Sequence, residues 1–376
     1  MPFESHPESI AFHFSLLTDP RVDRTKEHSL HDILVIALCA MLGGAEGFVD
    51  FEDFGHARLE WLRTILELPN GIPSHDTFRR VFALLDPKQF ADGFRSGTES
   101  LRKFVSREII AIDGKTLRRS HQRTKGQEPI HMVSAWAREN GLVLGQIQVN
   151  EKSNEITAIP ELLRTLNLAR CMVTIDAMGC QTKIATEIVA AHADCVLALK
   201  GNQSTMHDEV RIFLEDARAN EFQGVRHDFL ETSERGHGRQ ETRRYWMTDE
   251  IDWLTQRAQW DQLHSLGMVE SVRDLQGVIT TERRFFLCSI GAKASELARA
   301  VRGHWAIENT LHWCLDVTFR EDQCRVRTEF AAQNLALLRH MTINILKGEL
   351  SKKRGIKGKQ KNAGWDNSYL IKLLGF

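Results

Sequence analysis

The spacing of hydrophobic positions changes character along the chain. The run Leu30 to Leu42 (LHDILVIALCAML) is apolar on nearly every side and opens after Ser29, which predicts a buried, N-capped helix. A second helix is predicted over 56–68 and a third over 74–85. The breaker string PNGIP precedes the third, Ser74 is its cap, and Arg79 and Arg80 project from SHDTFRRVFALL. The last two helices have the spacing of a helix-turn-helix, with an ordinary helical hairpin bearing surface arginines as the competing reading. From about Arg107 the pattern shortens to strands: REIIAID, IHMVSAWAREN and LVLGQIQVNEK. Turn signals at 126–129 and 139–141 separate them, as in an antiparallel meander.

Helical spacing returns at Ile156, Ile159, Leu162, Leu163 and Leu166, followed by the strand Met172 to Ile175. A further helix (Ile184, Ala185, Ile188, Val189) and strand (Cys195 to Leu199) complete the series. Three strands, helix, strand, helix, strand is the order of a ribonuclease-H-like core. The expected class is therefore α/β, with a mixed sheet flanked by helices and a helical domain ahead of it. Residues 203–291 read as a β-containing insertion: a polar helix, the charged stretch RGHGRQETRRYW and the strand-like MVESVRDLQGVITTERRFFLCSI. A last helix over 295–319 places Val301, Trp305, Leu311 and Leu315 on one buried stripe, and Glu308 falls on it. The expected organisation is a helical domain over 1–100, an α/β domain over 105–345 and a basic tail over 346–376.

Size changes this picture little. The chain has 376 residues, a formal net charge of −1 and 42% apolar residues, which fits a globular protein of two or three domains. Its longest apolar run, Ile33 to Leu42, is too short to span a bilayer, and MPFESHPESIAFHF lacks the basic flank and apolar stretch of a signal peptide, so a cytoplasmic protein without a membrane partner is expected. Seven scattered cysteines with no C-x-x-C pair indicate reduced, mostly buried thiols. Charge is patchy: Lys115, Arg118, Arg119, Arg123 and Lys125 follow Asp113, and lysines crowd 347–361. Such blocks contact phosphates or simply face solvent.

Three acids stand where carboxylates are costly. Asp113 ends the apolar run Ile109 to Ile112, Asp176 ends Met172 to Ile175, and Glu308 lies on the buried stripe. Three carboxylates from three separate elements, two at the C-terminal ends of strands and one on a helix, suggest a metal site. Alone, each has a plainer reading: Asp113 and Asp176 as turn or helix caps, Glu308 as a partner of His304 or His312. A zinc site of His304, Glu308 and His312 is the lesser alternative, because no H-E-x-x-H is present. Trp305 and Trp313 read as core.

The motifs AIDGKTLRRS (111–120), TIDAMGCQTKIA (174–185), ALKGNQ (198–203), GHGRQETR (236–243) and HWAIENTLHWCLDVTFRED (304–322) carry a resemblance that covers almost the whole chain. The chain resembles the DDE transposases of bacterial insertion sequences, most nearly the H-repeat-associated group that accompanies Rhs elements. The resemblance implies a ribonuclease-H-like catalytic domain with Asp113, Asp176 and Glu308 as the catalytic, metal-binding triad, holding two Mg²⁺ or Mn²⁺ ions. It implies DNA cleavage at element ends and strand transfer, by a homodimer on DNA. An inactive relic that binds DNA without turnover and a metal-dependent nuclease are the alternatives. Candidate DNA contacts are Lys115, Arg118 and Arg119, Arg79 and Arg80, Lys200 and Asn202, and Arg239 and Arg243 within the insertion. The Y-x2-R-x3-E-x6-K pattern of many relatives is absent, since Val301, His304 and Leu315 hold those positions. His304 is the candidate phosphate contact in its place.

Overall fold

Strands with no polar face need cover on both sides. In the computed structural model, which describes residues 10–121, 128–149, 154–236 and 239–375, the apolar runs form β1 (Ile109–Thr116), β2 (His131–Ala137), β3 (Leu142–Gln148), β4 (Met172–Ile175) and β5 (Asp194–Leu199). Ile109 to Ile112 of β1 are completely buried. Strands β1, β4 and β5 run parallel, joined through helices α7 (Glu155–Arg164) and α8 (Thr182–Ala190), while β2 and β3 are the antiparallel meander.

The segment expected as an insertion continues the same sheet. After α9 (Ser204–Ala219) come β6 (Asp228–Gly236), β7 (Arg239–Thr248), β8 (Ser265–Leu275) and β9 (Val278–Cys288). Strand β9 pairs antiparallel with β5, from Val196↔Cys288 to Leu199↔Phe285. The result is a nine-stranded mixed sheet in the order β3-β2-β1-β4-β5-β9-β8-β7-β6. The charged stretch RGHGRQETRRYW, which has no strand-like alternation, nonetheless supplies β7.

Helices α1 (Ile10–Phe14), α2 (Leu30–Leu42), α3 (Phe48–Ala57), α4 (Leu59–Leu62), α5 (His75–Leu84) and α6 (Pro87–Leu101) precede the sheet. The caps behave as expected: Ser29 accepts the Asp32 amide at 3.0 Å and Ser74 the Thr77 amide at 3.4 Å. The helix expected over 56–68 instead starts at Phe48 and breaks at Arg58 (φ −118°, ψ 15°). There the Arg58 guanidinium donates to Asn367 Oδ1 at 2.5 Å and to the Gly364 carbonyl.

After α10 (Ala294–Ala306) and α11 (Trp313–Val317) the chain returns to these helices through α12 (Ala331–Gly348), α13 (Ile356–Trp365) and α14 (Asn367–Leu374). Phe51, Phe78, Phe82 and Phe90 share one apolar cluster with Leu311, Leu335, Leu338 and Leu370, so the first and last helices have a common core. The stretch expected as a basic tail is therefore folded through α13 and α14. Lys359 is buried there, its ammonium donating to the carbonyls of Leu346 (2.7 Å) and Glu349. No described helix is long and apolar enough to cross a membrane. All seven cysteines are free thiols and six are buried.

Edge strand β3 is closed by a side chain. Asn344 of α12 accepts the Val143 amide (2.8 Å) and donates to the Val143 carbonyl (2.8 Å) and Thr98 Oγ1 (3.1 Å), all buried. Asn344→Leu would strand two backbone groups, so urea unfolding is expected to show a loss of about 2–4 kcal/mol. Glu349 offers a pH-dependent counterpart. Its burial raises the carboxyl, but donors from Ser351, Lys372 and Tyr369 outweigh that and hold it down to about 2. A depressed carboxyl stabilises above its unfolded value and loses that contribution as pH falls toward the folded one. Glu349→Gln should thus lower the thermal midpoint at pH 7, with the gap from wild type closing as pH falls from about 4.5 to about 2.

Candidate active site

Register brings the first two acids together. The last parallel pair between β1 and β4 is Ile112↔Ile175, so Asp113 and Asp176 occupy the next position on neighbouring strands. Strand alternation turns both toward the face carrying Ala111 and Thr174. Asp113 does not end its strand as expected. β1 continues to Thr116 against β2, while β4 stops, so the opening lies beside β1.

Helix α10 crosses that face closely. A Cβ on Gly303 would sit 2.5 Å from Ile109 Cδ1, so only glycine permits the approach. The helix then widens into a π turn over Ile307–His312, where the Trp313 amide donates to the Glu308 carbonyl five residues back. Buried Ile307 and Leu311 anchor the turn. Glu308 itself is not on a buried stripe: its side chain is 50% exposed. Trp305 and Trp313, expected in the core, are 46% and 58% exposed.

Asp113, Asp176, Glu308, His304, Lys200 and Arg284 line one cleft of about 260 Å³. Ligand atoms of Asp113, Glu308 and His312 lie within 4.8 Å of one another. Asp176 shares the cleft but not that cluster. It accepts the amides of Met178 (3.1 Å) and Gly179 (3.3 Å), the turn-capping role its position also allows.

Crowding sets the protonation pattern. Burial, followed by the hydrogen bond and charge of Glu308, pushes Asp113 up to about 8. Burial pushes Glu308 up as well, but the proton on Asp113 and the nearby His312 and His304 outweigh it and leave Glu308 below the usual range. The pair therefore shares a proton that resides on Asp113. Burial also lowers His304 and His312 toward the neutral form. His312 Nδ1 is 3.3 Å from Glu308 Oε2 and 3.8 Å from Asp113 Oδ2. His304 Nδ1 turns instead to Thr174 Oγ1 at 3.2 Å, so the two histidines do not converge on one zinc-like centre.

The basic candidates divide. Lys200 is exposed at the cleft mouth, whereas Asn202 donates to the Ala177 carbonyl at 2.6 Å and braces the loop after Asp176. Lys115 is not a free phosphate contact. Its ammonium is turned inward onto Asp316 (2.7 Å) and Asp322 (3.0 Å). Arg118 is exposed while touching Asp322 at 3.1 Å, and Arg119 is exposed. Arg79 and Arg80 are exposed on α5, held to Asp76 at 3.0 and 3.3 Å. Arg243 is committed to Glu241 (2.8 Å) and Glu234 (3.4 Å). Arg123, Lys125, His237 and the side chain of Arg239 lie outside the described residues.

Arg284 escaped sequence reasoning as a site member, and His312 was read only as a partner of Glu308 or a zinc ligand. Arg284 lines the cleft, gripped by Glu282 at 2.9 and 3.0 Å and lying 5.2 Å from the Trp305 ring centre. Nothing in TERRFF distinguishes it. His312 had a signal, its i+4 spacing from Glu308.

Comparison with known proteins places the chain in a family. The family described as "Transposase DDE domain" matches residues 105–345, and "DDE_Tnp_1-associated" matches residues 11–96. The chain is 38% identical over 367 residues to "H repeat-associated putative transposase YhhI" of Escherichia coli (strain K12), covering 96% of each. It is 39% identical over 371 residues to "Putative transposase YncI" of Escherichia coli O157:H7, covering 98% of this chain and 94% of that one. Among solved structures it superposes on a piggyBac transposase synaptic complex with hairpin DNA at a TM-score of 0.40 and 11% identity, covering 98% of this chain and 77% of that chain. A family match across most of the α/β portion, with relatives matched nearly end to end, makes this chain a member of the transposase DDE domain family.

Proposed function

We propose that the chain is a metal-dependent transposase that cleaves DNA at element ends and joins the freed 3′ ends to target DNA. The observation that carries this reading is the convergence of Asp113, Asp176 and Glu308 on one cleft from two adjacent parallel strands and a crossing helix. The strand order β3-β2-β1-β4-β5, with β2 antiparallel to β1, supports a ribonuclease-H-like core.

The donors fit hard divalent cations. Three carboxylates suit Mg²⁺ or Mn²⁺, and the imidazole of His312 beside two of them is better tolerated by Mn²⁺. Asp113 and Glu308 would hold one ion and Asp113 and Asp176 the other. Two such ions, when bound, supply activation of the attacking oxygen and stabilisation of the leaving oxygen in an in-line displacement at phosphorus. The protein's share is placement. Asp113 must release the proton it shares with Glu308, and His304, held on Thr174, presents an imidazole at the cleft wall. Lys200 and Arg284 face the acids across the cleft as phosphate contacts. Arg79 and Arg80, with Arg118 and Arg119, are the proposed contacts to flanking duplex, and two copies of the chain would hold two ends.

Asp113→Asn, Asp176→Asn and Glu308→Gln should each reduce Mg²⁺- or Mn²⁺-dependent cleavage of DNA carrying the element's flanks to background while retaining DNA binding. A variant that still cleaves would remove its residue from the set. Cuts without joining would identify a nuclease, and binding without cuts an inactive relic. In the same assay, Arg79→Ala with Arg80→Ala should weaken end binding and flatten its dependence on log salt by up to about 2, with unchanged affinity returning α5 to a purely structural role.

A further inference from the structure

Lys115 lies two residues beyond Asp113 on β1, so alternation puts both side chains on the same face. Along the facing helix, Glu308, His312 and Asp316 recur every four residues. The two rows meet rung by rung. Asp113 faces Glu308 and His312, and Lys115 Nζ donates to Asp316 Oδ1 at 2.7 Å. The same ammonium reaches Asp322 Oδ1 at 3.0 Å and Glu321 Oε2 at 3.9 Å. Glu321 is buried and is held from behind by Arg339 NH1 at 3.3 Å, itself a buried residue of α12. An unbroken line of charges thus runs from the strand bearing Asp113, through the end of the helix bearing Glu308, to the core helix α12.

The line opposes a definite force. Asp113 and Glu308 are like-charged whenever both are ionised, a repulsion that would tilt the helix beyond the anchored Ile307 and Leu311 away from β1. Asp316 lies eight residues beyond Glu308, about 12 Å along a helix axis. A pin there blocks the tilt without occupying the cleft. We propose that the Lys115–Asp316 pair, backed by Glu321 and Arg339, is a positioning device that fixes the distance between Asp113 and Glu308 and so sets the affinity of the site for divalent cations. The inference rests on the metal reading given above, and it assigns Lys115 a role in place of contact with DNA.

The test compares the full-length wild type with Asp316→Asn and Lys115→Met. Lys115→Met removes the ammonium from among three carboxylates, leaving Glu321 to Arg339 and Asp322 to Arg118, and is at risk of unfolding, whereas Asp316→Asn keeps an acceptor and leaves Lys115 its other partners. Two readouts are taken on folded protein: the Kd for Mn²⁺, and amide hydrogen exchange over residues 307–319. Both variants should weaken Mn²⁺ binding by about tenfold or more and speed exchange over 307–319, with β7 and β8 unaffected. Mn²⁺ binding within about twofold of wild type in Asp316→Asn, with exchange unchanged or raised everywhere alike, would overturn the pin and leave an ordinary structural ion pair. Wild-type protein that binds no Mn²⁺ would sink the metal reading alone, and exchange over 307–319 would then decide the pin.

Discussion

Asp113 and Glu308 are 195 residues apart in sequence and share one proton in a partly buried cleft. Carboxylates this close repel when ionised, so the surrounding structure must impose the contact. It does so with parts that have no chemistry of their own. Ile109 to Ile112 bury β1 completely, Gly303 lets α10 lie against it, and Ile307 and Leu311 root the π turn in the core that the first and last helices share. That common core explains why the chain comes back to its N-terminal helices after the acidic helix: α12 packs behind the site and carries Arg339 and Asn344 to it and to the sheet edge.

The outer half of the sheet follows a different physical rule. Strands β6 to β9 bear long polar stretches, and their stability depends on buried acids surrounded by guanidiniums. Glu270 is buried and meets Arg218 (3.0 Å), Arg244 (3.2 Å) and Arg283 (2.9 Å), while buried Glu241 meets Arg243 (2.8 Å) and Arg273 (2.9 Å). A buried carboxylate needs such cationic partners, so these arginines are scaffold first. Arginine density alone therefore misleads about which side chains are free to meet a polyanion.

This contrast explains what was legible in the sequence. The strands from REIIAID to Cys195–Leu199 announce themselves because their apolar runs are bounded by turn residues, and Asp113 and Asp176 are conspicuous as the first charges after those runs. Ser29 and Ser74 announce helices by capping. By comparison, β6 is exposed along most of its length, and β7 buries charged Glu241 beside its apolar end, so neither shows an alternation to read. Glu308, Trp305 and Trp313 read as inward-facing because helical spacing identifies a stripe without saying whether anything covers it. Lys115 reads as a phosphate contact until Asp316 and Asp322, some 200 residues away, arrive beside it. Lys359 sits in a lysine-rich stretch, yet two carbonyls bury its ammonium.

The same partitioning bears on how a near-neutral protein would approach DNA. With a formal charge of −1, no net field draws in a polyanion, so attraction has to be local. Internal pairing has already removed Lys115, Arg243, Arg244 and Arg339 from that role. Among the described residues the cations lining the cleft are Lys200 and Arg284, the second paired with Glu282 and lying 5.2 Å from the ring centre of exposed Trp305. A guanidinium already fixed in one orientation loses little side-chain freedom on meeting a phosphate, so under the proposed reading its contribution is alignment more than long-range attraction. Under the same reading, alignment is also what the acids require, because Asp113 and Glu308 would act on a phosphate only where the cleft admits one in a single pose.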